Sequence, residues 1–114
     1  TYMDMMYMPD AIDGMVRIME ADPARLVYRC CFNITAMSFD PEELAASIRE
    51  QIPSFVLEYD VDPVRQSIAE GWPNSLDDGA AREEWGWSPR FDLPAMTEDM
   101  LRNLRLKLGE AARY

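Results

Sequence analysis

The stretch FDPEE, residues 39–43, constrains the fold of this chain most strongly because it defines the start of a helix. Asp40 is suited to accept a hydrogen bond as the N-cap, Pro41 suits the first helical position, and Glu43 completes a capping box. The following apolar residues repeat every four positions. The sequence therefore predicts a helix that begins at residue 41 and ends at Pro53, with a buried stripe formed by Leu44, Ile48 and Ile52.

Apolar and polar residues alternate on both sides of this helix. In VYRCCFNI, residues 27–34, the alternate side chains of an extended chain share one face. FVLEYD, residues 55–60, has the same alternation. A strand, a helix and a strand in this order form a βαβ unit with parallel strands and a right-handed crossover. Residues 28–60 are therefore predicted to form a βαβ unit within an α/β fold.

The remaining sequence indicates one more strand and several amphipathic helices. MMYM, residues 5–8, reads as a short strand, and Asp10 is predicted to open a helix that Asp22-Pro23 ends. The apolar stripe of that helix has helical spacing and consists of Ile12, Met15, Val16 and Met19. Three further helices are predicted. One covers residues 63–70, one follows the N-cap oxygens of Ser75, Asp77 and Asp78 and runs through Trp85, and one runs from about residue 94 to Gly109.

The charge of the chain narrows the classes of partner. The 114 residues carry a formal net charge of −10, and Lys107 is the single lysine among 11 basic residues. So acidic a chain repels phosphate backbones and anionic membrane surfaces, and no apolar run is long enough to span a bilayer. We therefore expect neither nucleic acid nor a membrane as partner.

Residue chemistry that would mark a reaction centre is missing from this sequence. It has no histidine, no GxGxxG or P-loop glycine pattern, and no Tyr-x-x-x-Lys pair. Cys30 and Cys31 are neighbours, which disfavours a disulfide and indicates a reducing compartment; a metal or redox role for the pair is the less favoured alternative. No catalytic, cofactor-binding or metal-binding residue is predicted within the chain. The acidic pairs Glu42-Glu43 and Glu83-Glu84 are interpreted as solvated helix faces, and Asp77-Asp78 as helix caps rather than a cation site.

Three segments in order resemble a known family. They are MMYMPDAIDGMVRIMEA (5–21), FNITAMSFDPEELAASIREQIPSFVLEY (32–59) and DPVRQSIAEGWPNSLDDGAAREEWGW (62–87), with FDLPAMTEDML (91–101) behind them. Together they resemble the C-terminal lobe of NAD-dependent L-threonine 3-dehydrogenases of the extended short-chain dehydrogenase class, which are related to UDP-galactose 4-epimerases. The resemblance covers nearly the whole chain.

This resemblance implies that residues 1–114 are the C-terminal substrate-binding lobe of a longer enzyme of the NAD(P)-binding Rossmann superfamily. The N-terminal Rossmann domain would bind NAD and hold the catalytic Tyr/Lys pair, and the parent would be an intracellular homodimer, cytoplasmic or mitochondrial. The parent would oxidise L-threonine to 2-amino-3-ketobutyrate in threonine catabolism. A start at Thr1 fits the same interpretation, and the 114-residue chain alone is expected to be inactive.

Trp72 and Tyr7 are the candidate substrate-binding residues. In the sugar-nucleotide relatives an Arg-Pro pair at the place of Trp72-Pro73 contacts the diphosphate, so an indole there implies a smaller and drier pocket that suits an amino acid. Packing of Trp72 against the core is the alternative. Tyr7 ends the first predicted strand, where ligands gather in α/β sheets, although core packing is also open for it. Trp85 and Trp87 are predicted to be packing residues.

Two other functions remain open from the sequence. The first keeps the fold and changes the substrate, which makes the chain the lobe of a nucleotide-sugar epimerase or dehydratase. The second is a non-catalytic acidic interaction module, since no reaction centre lies within the chain. Trp72 in place of the expected arginine disfavours the nucleotide-sugar enzyme.

Overall fold

The computed structural model describes residues 1–109 of the chain. Within these residues the fold is mixed α/β, as the sequence predicted. The elements, in chain order, are β1 (Met3–Met5), α1 (Met8–Glu20), a 3-10 turn (Pro23–Arg25), β2 (Met37–Phe39), α2 (Pro41–Gln51), α3 (Pro63–Glu70), α4 (Gly79–Trp85) and α5 (Leu93–Leu108).

Helix α2 begins as its capping box predicts. Asp40 Oδ1 accepts a hydrogen bond from the backbone N of Glu43 at 2.8 Å, and Glu43 Oε2 accepts one from the backbone N of Asp40 at 3.3 Å. The predicted stripe of Leu44, Ile48 and Ile52 is only half-buried. The buried face is carried instead by the small residues Ala45 and Ser47, which allow α2 to lie close to α5.

The contact between α2 and α5 includes a buried polar pair. Ser47 Oγ donates to Thr97 Oγ1 at 2.8 Å, and Thr97 Oγ1 donates in turn to the carbonyl oxygen of Leu93 at 2.8 Å. Both hydroxyls are therefore satisfied within a contact that excludes water. Met96, on the same turn of α5, is also buried.

The predicted βαβ unit is wrong. The described residues form one sheet of two antiparallel strands, in which Met3 pairs with Phe39 and Asp4 with Ser38. The predicted first strand is also displaced, from residues 5–8 to β1. Strand pairing requires a partner backbone at hydrogen-bonding distance, and the alternation of a single segment does not identify that partner.

The other two segments that were predicted as strands are irregular. At the start of residues 27–34, the backbone N of Val27 and that of Tyr28 both donate to Glu84 on α4, at 3.0 Å for Tyr28. These donors therefore do not enter a strand ladder. Residues 55–60 have no ladder partner among the described residues. Glu84 is thus half-buried and holds the start of this segment, whereas the sequence predicted a solvated residue.

Helix α1 presents to solvent the stripe that the sequence predicts to be buried. It begins at Met8, two residues before the predicted start, and its buried residues are Asp10 and Gly14. The apolar stripe on its other side is exposed: Ile12 by 51%, Met15 by 57%, Val16 by 41% and Met19 by 76%. The helical period was therefore predicted correctly, but the packed face of α1 is the small and polar one.

Trp87 is the centre of the small core. It is 2% exposed, its Nε1 donates to the carbonyl oxygen of Thr35 at 3.0 Å, and its ring lies 5.9 Å from that of Trp85. Gly86, between the two tryptophans, has φ of 72°, which ends α4 and allows Trp87 N to reach the carbonyl oxygen of Ala81 at 3.2 Å. Both tryptophans are packing residues, as the sequence predicted.

Candidate functional site

Trp72 lies on the turn that follows α3. Asp62 caps the start of this helix by accepting from Val64 N at 2.8 Å, and Gly71 ends it. The backbone N of Trp72 donates to the carbonyl oxygen of Ala69 at 3.2 Å, so the turn continues directly from the helix. The side chain of Trp72 is 55% exposed. The backbone here is therefore well defined while the indole is not covered by the described residues.

A cross-strand pair in the sheet holds the segment after Trp72. Asp4 on β1 and Ser38 on β2 face each other in the ladder. Asp4 Oδ2 accepts from Leu76 N at 2.8 Å, and Ser38 Oγ donates to the carbonyl oxygen of Asn74 at 2.5 Å. The two side chains thus fasten residues 74–76 to the sheet and restrict where the Trp72 turn can lie.

Sequence reasoning did not identify Asp4 and Ser38. Each is a polar residue within an otherwise apolar strand, and that departure from the pattern was the available signal. The signal becomes informative only once the register is known. Because the antiparallel pairing places these two residues opposite each other, one structural feature orients the whole turn.

Tyr7 lies between β1 and α1, and its side chain faces α5. Its hydroxyl donates to Asp99 Oδ2 at 2.9 Å, and its ring meets Phe91 edge to face with centroids 4.9 Å apart. The hydrogen bond to Asp99 raises the pKa of Tyr7 above its ordinary value of 10.0. The hydroxyl of Tyr7 is thus engaged by Asp99, and the shift in pKa favours its protonated form.

Asp10 is buried and orients the Arg90–Phe91 segment, which packs against the Tyr7 ring. Its carboxylate accepts from the backbone N of Arg90 and from that of Phe91, each at 3.0 Å, and the Arg90 guanidinium lies 3.7 Å from it. A fully buried carboxylate needs such partners. Asp10 thereby fixes the loop that carries Phe91 against Tyr7.

Asp78 is the acidic side chain beside α4 with the clearest electrostatic partner. The Arg82 guanidinium donates to Asp78 Oδ1 at 2.8 Å, and this hydrogen bond lowers the pKa of Asp78 below 3.8. The neighbouring Asp77 accepts from Gly79 N at 2.9 Å. The predicted capping role is therefore carried by Asp77, whereas Asp78 makes an ion pair with Arg82.

The two candidate substrate-binding residues make no direct contact with each other in the described residues. No hydrogen bond or aromatic ring contact joins Trp72 to Tyr7 within residues 1–109. Trp72 follows α3 and is fastened through the sheet, while Tyr7 faces α5. Their assignment as substrate-binding residues stays a prediction.

The described part of the chain has no metal site of ordinary composition, since no group of three or more His, Cys, Asp or Glu side chains converges there. None of the helices in residues 1–109 has the length and apolar character needed to cross a membrane. Three of the glycines in residues 1–109 have structural roles. Gly14 is packed inside α1, where a Cβ would meet the Trp87 ring at 3.1 Å, and Gly71 and Gly86 end helices.

Comparison with known proteins gives the class first. No protein-family model matches the chain. A curated relative from Staphylococcus haemolyticus, described as an uncharacterized epimerase/dehydratase, is 52% identical over 107 residues, which are 94% of this chain and 34% of that protein. One from Staphylococcus aureus with the same description is 54% identical over 94% of this chain and 33% of its own length. The chain is therefore similar to about a third of the length of proteins described as epimerases or dehydratases.

Solved structures narrow this class. An L-threonine dehydrogenase from Clostridium difficile superposes with a TM-score of 0.90 at 59% identity, over 94% of this chain and 34% of that one. A GalE-like L-threonine dehydrogenase from Cupriavidus necator gives 0.86 at 50% identity, over 90% and 37%. The chain thus has the fold of the C-terminal part of GalE-like L-threonine dehydrogenases, which confirms the predicted resemblance. It spans about a third of the length of these relatives.

Proposed function

We propose that this chain is the substrate-recognition lobe of a longer NAD-dependent L-threonine 3-dehydrogenase. The observation that carries the proposal is the similarity to the dehydrogenase from Clostridium difficile, at 59% identity over 94% of the chain. The reaction class is oxidation of the 3-hydroxyl of L-threonine, with hydride transferred to the nicotinamide. The product is 2-amino-3-ketobutyrate.

In this proposal NAD belongs to a part of the protein outside this chain. The support is that the chain spans only 34% of the length of the dehydrogenase from Clostridium difficile, and that its sequence has no GxGxxG pattern. The lobe contributes binding and the exclusion of water, and the catalytic base and the cofactor come from an N-terminal Rossmann domain. The 114 residues alone are then inactive.

Trp72 is proposed as a wall or lid of the threonine pocket. The exposure of its indole, on a turn that Asp4 and Ser38 fasten to the sheet, makes the ring available to a substrate or to the rest of the enzyme. A large apolar ring that closes over a small amino acid displaces water and strengthens the polar contacts that remain. The same ring offers no cation to a diphosphate.

Tyr7 is proposed to line the same cleft through its ring. Its hydroxyl is already bonded to Asp99, and its ring is held by Phe91. We therefore propose a shape-determining contact for Tyr7 and no proton transfer. Asp10 and Asp99 are positioning residues in this arrangement, because Asp10 holds the loop that carries Phe91 against the Tyr7 ring and Asp99 accepts the hydrogen bond of the Tyr7 hydroxyl.

A nucleotide-sugar epimerase or dehydratase is the second candidate, and the description of the curated relatives favours it. Those relatives match an equal share of the chain, 94%, as the C. difficile structure does. The two candidates share the fold and differ in the ligand at the Trp72 turn. A carboxylate and an ammonium group are recognised in one case, and a diphosphate in the other.

The decisive experiment offers the full-length protein that contains this chain L-threonine with NAD, and separately UDP-galactose or UDP-glucose. NADH formation measures threonine oxidation, whereas chromatography of the sugar product measures epimerisation or dehydration, because those two reactions regenerate NAD and release no net NADH. Turnover with L-threonine alone is expected. The purified 114-residue chain is the matched control and is expected to form no NADH. Activity on a nucleotide sugar without activity on threonine would replace the first candidate with the second, and threonine-dependent NADH formation by the 114-residue chain would contradict the division into lobes.

A further inference from the structure

An apolar groove lies between α1 and the irregular segment 26–34. Its volume is about 440 Å³. The apolar residues that line it include Met15, Ile18, Leu26, Phe32, Ile34 and Trp85. Glu84 fastens the start of the segment through the backbone of Val27 and Tyr28, and the Phe32 ring meets Trp85 edge to face at 5.9 Å. Contacts at the start of the segment and at Phe32 therefore hold this wall of the groove in place.

Two thiols lie at the rim of this groove. Cys30 and Cys31 both line it, both are exposed, and both are free. Their Sγ atoms are 3.6 Å apart. Two sulfurs bound to a tetrahedral zinc ion by bonds of about 2.3 Å lie roughly 3.7 Å from each other, and two sulfurs on a pyramidal trivalent arsenic atom lie a few tenths of an ångström closer. The two thiols thus already have the spacing of a pair of ligands to a single soft atom.

The usual roles of a cysteine pair do not fit this geometry. A disulfide between neighbours is strained because consecutive Cα atoms are only about 3.8 Å apart, below the usual range of roughly 4.4–6.8 Å. The hydrogen bond with Cys30 raises the pKa of the Cys31 thiol, which reduces the thiolate that a peroxide sensor requires. A structural zinc ion wants four ligands, and no third His, Cys, Asp or Glu converges here within the described residues.

We propose that Cys30 and Cys31 form a bidentate site for a trivalent organic arsenical that carries one aryl group. Trivalent arsenic of this kind needs only two sulfur ligands besides its carbon substituent, so the pair completes the coordination without a third protein ligand. The aryl group enters the adjacent groove and packs near Trp85 and Phe32. Burial of an aromatic ring in a groove of this size adds apolar contact area to the two As–S bonds.

The reaction is a condensation that leaves the oxidation state unchanged. The hydrated form of phenylarsine oxide carries two hydroxyl groups on arsenic. Each thiol forms one As–S bond, one As–O bond breaks for each, and each thiol proton leaves with a hydroxyl group as water. Two waters are released in total, and no oxidant or reductant takes part.

The test uses phenylarsine oxide and the full-length protein that contains this chain, under reducing conditions, with the arsenic group located on the peptide that contains residues 30 and 31. Mass spectrometry is expected to show one phenylarsenic group per chain with the loss of two thiol protons, and ethanedithiol is expected to remove it. Cys30→Ser and Cys31→Ser each leave a single thiol, so we expect binding to weaken by roughly 100-fold because the second bond is no longer intramolecular. Both side chains are exposed, so neither substitution removes core packing.

Tryptophan fluorescence locates the aryl group. Binding is expected to change the emission of the wild-type chain and of Trp72→Phe, and to lose most of that change in Trp85→Phe. A methyl-substituted trivalent arsenical is expected to bind more weakly than the phenyl compound because it fills less of the groove. Equal binding by the single-cysteine variants overturns the bidentate site. An emission change that survives in Trp85→Phe, or equal affinity for the methyl and phenyl compounds, overturns the role of the groove.

Discussion

At the scale of single residues, Trp72 is the side chain whose role the proposed function makes most specific. Its indole is 55% exposed, so little packing within residues 1–109 is lost when it is truncated. In the full-length enzyme, Trp72→Ala is expected to raise KM for L-threonine by about tenfold or more while KM for NAD stays within about twofold, since a pocket wall contributes roughly 1–3 kcal/mol to binding of a small ligand. Steady-state kinetics with each substrate varied in turn measure this.

The matched control for Trp72 is Tyr59→Ala. Tyr59 is 57% exposed, similar to Trp72, and its hydroxyl donates to Glu42 at the start of α2. This substitution removes an aromatic side chain of comparable exposure from another part of the surface. We expect it to leave KM for both substrates unchanged. A parallel rise of both KM values in Trp72→Ala would assign Trp72 to packing between the two parts of the enzyme.

Gly14 shows how a single missing side chain sets the position of a helix. A Cβ at residue 14 would lie 2.7 Å from Ile34 Cδ1 and 3.1 Å from the Trp87 ring. Ile34 has room to rotate, but the buried Trp87 ring does not move easily. Gly14→Ala is therefore expected to lower the free energy of unfolding by about 1 kcal/mol, as overpacking of roughly 1–3 kcal/mol outweighs a helix-propensity gain of up to about 1 kcal/mol. Urea unfolding monitored by circular dichroism measures the change.

Gly71→Ala is the control for this substitution. Gly71 has a right-handed φ of −78°, and the nearest atom to a Cβ there is the carbonyl oxygen of Ile68 at 3.4 Å. An alanine is tolerated at such a position and restricts the unfolded chain, so we expect the stability to stay the same or to rise by up to about 1 kcal/mol. A Gly14→Ala chain as stable as Gly71→Ala would show that α1 is not seated against Trp87.

At the scale of elements, the start of α4 is stabilised by an ion pair that depends on pH. The Arg82 hydrogen bond lowers the pKa of Asp78 in the folded chain, so the folded state binds this proton less readily than the unfolded state. The resulting stabilisation is present above the ordinary aspartate value of 3.8 and is lost as the pH falls through the lower folded value. Asp78→Asn is therefore expected to lower the free energy of unfolding by about 1 kcal/mol at neutral pH, with the difference from wild type shrinking in acid below that ordinary value.

Chemical unfolding at a series of pH values measures this contribution of Asp78. Glu83→Gln, which removes a charge of the same sign from the same helix, controls for the change in net charge. Glu83 is exposed on α4, so the free energy of unfolding of Glu83→Gln is expected to fall in acid in the same way as that of wild type. A constant offset between Asp78→Asn and wild type at every pH would argue against the ion pair as the source of the stabilisation.

At the scale of the whole molecule, the described chain is extended and has little core. Its radius of gyration is 17.3 Å, whereas a compact domain of this length has about 13 Å. Its principal extents are 52 × 36 × 19 Å, and the buried hydrophobic residues are few: Phe39, Ala45, Ala81, Trp87 and Met96. A plate of this shape buries little apolar surface within itself, so its stability depends strongly on what covers its faces.

The exposed stripe of α1 predicts self-association of the isolated chain. Met15 and Met19 are 57% and 76% exposed and belong to one continuous apolar face. Sedimentation velocity is expected to show concentration-dependent dimers or larger species, and Met19→Glu is expected to shift them towards monomer. Leu106→Glu, at a residue 77% exposed on α5, is the matched control and should have a smaller effect. A wild-type chain that stays monomeric at all concentrations would contradict this prediction.

Features that depend on neighbours a few residues apart could be predicted from the sequence. Asp40, Asp62 and Asp92 each precede a proline or a proline-containing first turn and accept a hydrogen bond from a backbone N within three residues, so the starts of α2, α3 and α5 were readable from local chemistry. The resemblance in three segments likewise identified the family of the fold. These signals need no knowledge of which distant parts of the chain meet.

Tertiary structure alone decided the pairing of strands and the face that each helix buries. β1 pairs with β2 from more than 30 positions away in the chain, and this contact, which no local pattern encodes, placed Asp4 opposite Ser38 and so oriented the Trp72 turn. The buried face of α1 also depends on a long-range contact. Gly14 has no side chain, so the Trp87 ring lies closer to the helix there than it could beside the residues of the apolar stripe. The physical reason is that ladder hydrogen bonds and ring packing are long-range contacts, whose partners are selected by the shape of the assembled fold.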